Sequence, residues 1–97
     1  MIEVEDIKKK LEAEKHDLID RFKISSISIF GSYALRRQTD ESDIDILVEF
    51  SEPIGWDFFD LKNHLEKLFD KKIDLVTPRG LKKDYRDSVY NQLIRVA

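Results

Sequence analysis

At 97 residues, with 41% hydrophobic and 38% charged residues and no cysteine, the chain has the size and balance of one folded domain spanning residues 1–97, without disulfides or thiolate metal sites. Its net charge of −3 withholds the surplus of Lys and Arg on which general nucleic-acid binding draws. The acidic start, Met1 to Asp6, lacks the apolar run of a secretory signal and no later stretch approaches transmembrane length, so the expected setting is the reducing cytoplasm, away from the membrane.

Over residues 5–22, Ile7, Leu11, Leu18, Ile19 and Phe22 recur at helical spacing among Lys and Glu, which predicts one long helix with a buried stripe. Its remaining charges are mixed in sign and read as a solvated face. The short β-branched run Ile24–Phe30 places Ile27 and Ile29 on one face and ends at Gly31, a strand followed by a tight turn. Residues 33–37 offer one helical turn before a polar loop. Residues 43–50 then alternate, with Ile44, Ile46, Val48 and Phe50 on one face and Asp43 and Asp45 on the other.

Pro53 and Gly55 break the chain, and Phe58, Leu61, Leu65 and Leu68 predict a helix over 56–69 with Asp57 in its first turn. Residues 73–77 form a third strand stopped by Pro78 and Gly80, with Asp74 between Ile73 and Leu75. Leu81, Tyr85, Val89, Leu93 and Val96 predict a final helix reaching the C-terminus. The order helix, strand, turn, strand, helix, strand, helix describes a small β-sheet covered by helices. His16 and His64 lie on helices without a second histidine at ligand spacing and read as surface or packing residues.

The chemistry gathers in three pieces: Gly31-Ser32, then Asp43-Ile44-Asp45, then Asp74. Two acids at i and i+2 of a strand point the same way, about 6.6 Å apart at their α-carbons. Left alone such carboxylates repel and one takes up a proton, whereas a hard divalent cation, Mg²⁺ above all, supplies the missing charge. Asp43 and Asp45 are placed to bridge two such ions, and Asp74 to complete the one that activates an acceptor hydroxyl. A glycine directly after a strand lets backbone N–H groups face a phosphate, Ser32 adds a hydroxyl, and Arg36 could grip a triphosphate. The bland alternatives are a solvent-facing pair of strand acids, a lone acid in water at Asp74, a turn serine and a surface arginine.

Read together, Gly31-Ser32 and Asp43-Ile44-Asp45, within the stretch GSYALRRQTDESDIDILVEF, resemble the signature of the polymerase-β-like nucleotidyltransferase superfamily. The late acid in IDLVTP and the small size resemble the minimal nucleotidyltransferase (MNT) antitoxins in particular. The resemblance implies the nucleotidyltransferase fold, an α+β (α/β-type) arrangement with a small mixed β-sheet flanked by helices. It implies Asp43, Asp45 and Asp74 as catalytic Mg²⁺ ligands, with Gly31 and Ser32 holding the triphosphate of ATP. It also implies a partner, a helical HEPN-domain toxin neutralised by transfer of AMP to a tyrosine. Where many relatives have Ala-Arg-Gly, this chain has Ala34-Leu35-Arg36, which bears on the stiffness of the turn and on triphosphate affinity. That departure keeps open an alternative, an MNT-fold antitoxin that acts by binding alone. Transfer to a nucleic acid or small molecule is disfavoured by the acidic balance and the short length.

Overall fold

A computed structural model describes residues 2–97, and its order is α1 (Val4–Ala13), α2 (Lys15–Phe22), β1 (Ile24–Phe30), α3 (Gly31–Ala34), β2 (Ile44–Phe50), α4 (Asp57–Phe69), β3 (Ile73–Val76), a single 3₁₀ turn (Pro78–Gly80), α5 (Lys83–Gln92) and β4 (Ile94–Arg95). The sheet runs β3-β2-β1-β4. β1 pairs antiparallel with β2 and with β4, while β2 and β3 run parallel, so the sheet is mixed as expected.

Alternation along the strands sorts the core into two layers. Ile27, Ile29, Ile44, Ile46, Val48, Ile73 and Leu75 face α1, α2 and α4, whose stripes contribute Val4, Ile7, Leu11, Leu18, Phe22, Leu61, Leu65 and Phe69. On the other face Phe30 and Leu47 meet Leu81 and Val89, the latter from α5. This second layer is small, and the N-terminal ends of β2 and β3 emerge beside it. Truncating a fully buried leucine such as Leu65 removes packing worth about 2–5 kcal/mol.

Two departures from the expected order have physical causes. The long first helix is broken at Glu14, whose backbone (φ −102°, ψ 6°) leaves the helical region. Glu14 stands where the stripe of Leu11 and Leu18 calls for an apolar side chain, and it bonds His64 of α4 instead. The final helix stops at Gln92, and Ile94–Arg95 pairs as a fourth strand with Ser28 and Ile29. The exposed edge of β1 offers unpaired backbone groups, and the β-branched end of the chain satisfies them: Val96 N–H donates to Ile27 C=O at 2.9 Å and Ile27 N–H to Ala97 C=O at 3.1 Å.

Candidate active site

The turn after β1 is the first component. Gly31 adopts φ +71°, the left-handed region open to glycine at little cost. A β-carbon there would collide with Asp45 Oδ2, so glycine is needed twice, for its backbone and for the close approach of the acid. Tyr33, on α3, is fully buried in the main core and pins the turn from below. Ser32 stays half-buried at the surface of the turn, and its C=O accepts from Arg37 N–H at 2.8 Å. Gly31 N–H is already engaged, donating to Gln92 Oε1 at 2.6 Å.

The acids come next. Residues 39–42 close on themselves, Thr39 N–H donating to Ser42 Oγ at 2.9 Å and Ser42 N–H to Thr39 C=O at 3.1 Å, and deliver an exposed Asp43 just ahead of β2. Asp45 lies within β2, opposite Phe30 of β1 on one side and in register with Asp74 of β3 on the other. Parallel neighbours stand about 4.8 Å apart, so the two carboxylates share one side of the sheet at adjacent positions. The link from Ile44 N–H to Lys72 C=O at 3.1 Å fixes the starts of the two strands together.

The electrostatic result is a carboxyl that resists ionising. Asp45 is pushed up from 3.8 to about 7, first by burial, then by the charge of Asp74 and a hydrogen bond to it, and last by the charge of Asp43. No Lys, Arg or His forms an ion pair with these three acids among the described residues. Oxygen-only donors with surplus negative charge suit a hard divalent cation, and Mg²⁺ fits this set better than a softer metal would.

Arg36 takes a different direction. Its guanidinium pairs with Glu5 of α1 at 2.5 Å, with both side chains largely in solvent. Its backbone sits at φ +58°, the left-handed conformation. Glycine adopts that conformation at little cost, whereas Arg36 meets it at about 1 kcal/mol.

Two features lay outside the sequence reading. Glu14, Asp17 and His64 bring their donor atoms within 4.8 Å of one another, with Glu14 Oε1 and His64 Nε2 at 2.9 Å. Asp43, Asp45 and Asp74 do not all bring their donor atoms within that distance of one another. Gln92 is the other, brought to Gly31 by a terminal strand the helical periodicity concealed. A groove of about 520 Å³ lined by Val48, Phe50, Pro53, Thr77 and Arg79 opens at the opposite end of β2 from Asp45 and is separate from the acids.

Comparison with known proteins identifies the family. The family model described as polymerase beta, nucleotidyltransferase matches residues 5–96. The protein adenylyltransferase MntA of Thermococcus cleftensis is 36% identical over 97 residues, 99% of this chain and 98% of the relative. A solved structure described as a candidate minimal nucleotidyltransferase superposes with a TM-score of 0.81 at 32% identity, over 96% of this chain and 95% of that one. A toxin–antitoxin complex solved with AMP-PNP gives 0.72 at 27% identity, over 89% and 72%. With the family model matched along almost the whole chain and relatives above 30% identity over nearly their full length, the chain belongs to the polymerase β nucleotidyltransferase family, among its minimal nucleotidyltransferases.

Proposed function

We propose that this enzyme transfers AMP from ATP to a hydroxyl of a partner protein, with Asp43, Asp45 and Asp74 holding two Mg²⁺ ions and Gly31 and Ser32 cradling the triphosphate. The observation that carries the reading is the register of Asp45 with Asp74 against Gly31, three chain segments converging with their negative charge uncompensated. The AMP-PNP in the toxin–antitoxin neighbour and the name of the Thermococcus cleftensis relative support ATP as donor and a protein as acceptor. The sequence resemblance makes the partner a helical HEPN-domain toxin and the acceptor a tyrosine, so that the chain serves as an antitoxin. No helix of the described residues is long and apolar enough to cross a membrane.

Bound Mg²⁺ supplies the positive charge that lets a polyanionic triphosphate approach three carboxylates and that stabilises the charge developing on its oxygens. The residues do the rest. Ser32 Oγ and the N–H groups after Gly31 orient the phosphate tail. Arg36 reaches it by leaving Glu5, an exchange of small cost because an exposed ion pair contributes little. The acceptor hydroxyl loses its proton at Asp74, its oxygen attacks the α-phosphorus in line, and the bond from that phosphorus to the bridging oxygen breaks, releasing pyrophosphate. ATP labelled at the α-phosphate, incubated with Mg²⁺, the chain and a HEPN-domain toxin from the same genome, is expected to label that toxin. No labelling by wild type, or equal labelling by Asp43→Ala, contradicts the reading.

A second reading, neutralisation by binding alone, rests on Arg36 being occupied by Glu5. Under it Asp45→Asn would still protect cells from the partner, and loss of protection would exclude it.

A further inference from the structure

We propose that Gln92 is a positioning residue for nucleotide binding: its side-chain amide holds the Gly31 turn in the conformation that receives the triphosphate. The inference rests on the proposed nucleotide site and adds a residue that the glycine–serine and acidic motifs do not contain.

The placement follows from the terminal strand. β4 pairs antiparallel with β1, Ile94 opposite Ile29, and the same register carried two residues further brings Gln92 opposite Gly31. Gln92 is the last residue of α5 and backbone pairing has not yet begun there, so its side chain takes over the ladder. Gln92 Oε1 accepts from Gly31 N–H at 2.6 Å, and Gln92 Nε2 donates to Ser88 C=O at 3.0 Å one turn back on α5. Both ends of the amide are used, which fixes its orientation: the oxygen faces the N–H donor and the nitrogen faces the carbonyl.

Gly31 can occupy several backbone regions at similar cost, so left to itself the turn would sample them. Two constraints select one. Asp45 stands where a β-carbon would be, and Gln92 holds the N–H on the other side. The peptide planes that follow, carrying the N–H groups of Ser32 and Tyr33, are thereby set before any ligand arrives. Preset donors bind a phosphate more tightly than donors that must first be ordered. Gly31 N–H itself is spent on Gln92 and serves the ligand indirectly.

Gln92→Met keeps the length and packing of the side chain and removes the acceptor, whereas Gln92→Glu keeps an acceptor. Amide hydrogen exchange at Gly31 and titration of Mg²⁺–ATP, with the thermal midpoint as a control for folding, test the inference. In Gln92→Met, exchange at Gly31 is expected to accelerate at least tenfold and the dissociation constant for Mg²⁺–ATP to rise about tenfold, the effect of one lost hydrogen bond, with the midpoint within a few degrees of wild type. Gln92→Glu is expected to keep Gly31 protected. Unchanged Gly31 exchange in Gln92→Met, or wild-type ATP affinity in that variant, overturns the inference while leaving the nucleotide site intact. A wild type that binds no Mg²⁺–ATP removes the nucleotide reading and this inference with it.

Discussion

Acidic groups gather in two places in this molecule, and they are treated differently. Between α2 and α4, Glu14 and Asp17 lie beside His64, a group that can donate to them, and Glu14 bonds it at 2.9 Å. At the N-terminal ends of β2 and β3, Asp45 meets Asp74 with Asp43 nearby and, among the described residues, no ion-paired basic partner, and its carboxyl holds a proton up to about 7. The first cluster is satisfied by the chain itself and joins two helices. The second imposes a cost on the fold once Asp45 ionises, which a divalent cation from outside would remove. Uncompensated charge, more than the number of acids, separates a site from a strut.

The largest break in this comparison should come from catalysis. Asp45→Asn is expected to lower nucleotidyl transfer by roughly 10³-fold, as loss of a metal ligand in a two-metal site should, whereas His64→Gln should leave the rate within twofold in the same assay. Comparable losses in both would erase the distinction.

Next in size is Gly31→Ala, which combines a left-handed backbone with a collision at Asp45 Oδ2. Denaturant unfolding should show a loss of about 2–4 kcal/mol, and a change below 1 kcal/mol would mean that the turn is not closed on the acid.

A smaller effect concerns pH. Asp45 binds its proton more tightly folded than unfolded, so stability should fall as pH rises from about 4 to about 7, with the full penalty present above that. Allowing for water at this half-open position, the penalty is about 1–2 kcal/mol. Metal-free Asp45→Asn should therefore be more stable than wild type at pH 8 and lose the advantage at pH 4. The smallest effect belongs to the strut, where His64→Gln is expected to cost less than about 1 kcal/mol.

Much of this was legible in the sequence because the local signals agree with the tertiary outcome. Ile44, Ile46 and Val48 alternate as a half-buried strand should, and all three are fully buried. Two acids on one face of a strand are costly, which marks Asp43 and Asp45, and β2–β3 pairing brings Asp74 into register with Asp45. Pairing is a long-range fact, and it was there that the sequence reading failed. The residues after Gln92 carry a spacing compatible with helix, and the free edge of β1 overrode it. With the strand unseen, the meeting of Gln92 with Gly31 across 61 positions had no local signal. The break at Glu14 did have one, a polar residue in an apolar stripe, but its partner His64 lies on another helix. Nor does the spacing reveal that Arg36 takes the left-handed conformation at φ +58°.

The central claim is that the strand acids are a charge deficit awaiting a divalent cation. The direct measurement is the thermal midpoint of the metal-free protein at pH 8, with and without millimolar Mg²⁺, for wild type and Asp45→Asn. The account predicts that Mg²⁺ raises the wild-type midpoint by several degrees and leaves the variant unmoved. Equal shifts in both proteins, or none in wild type, would contradict it.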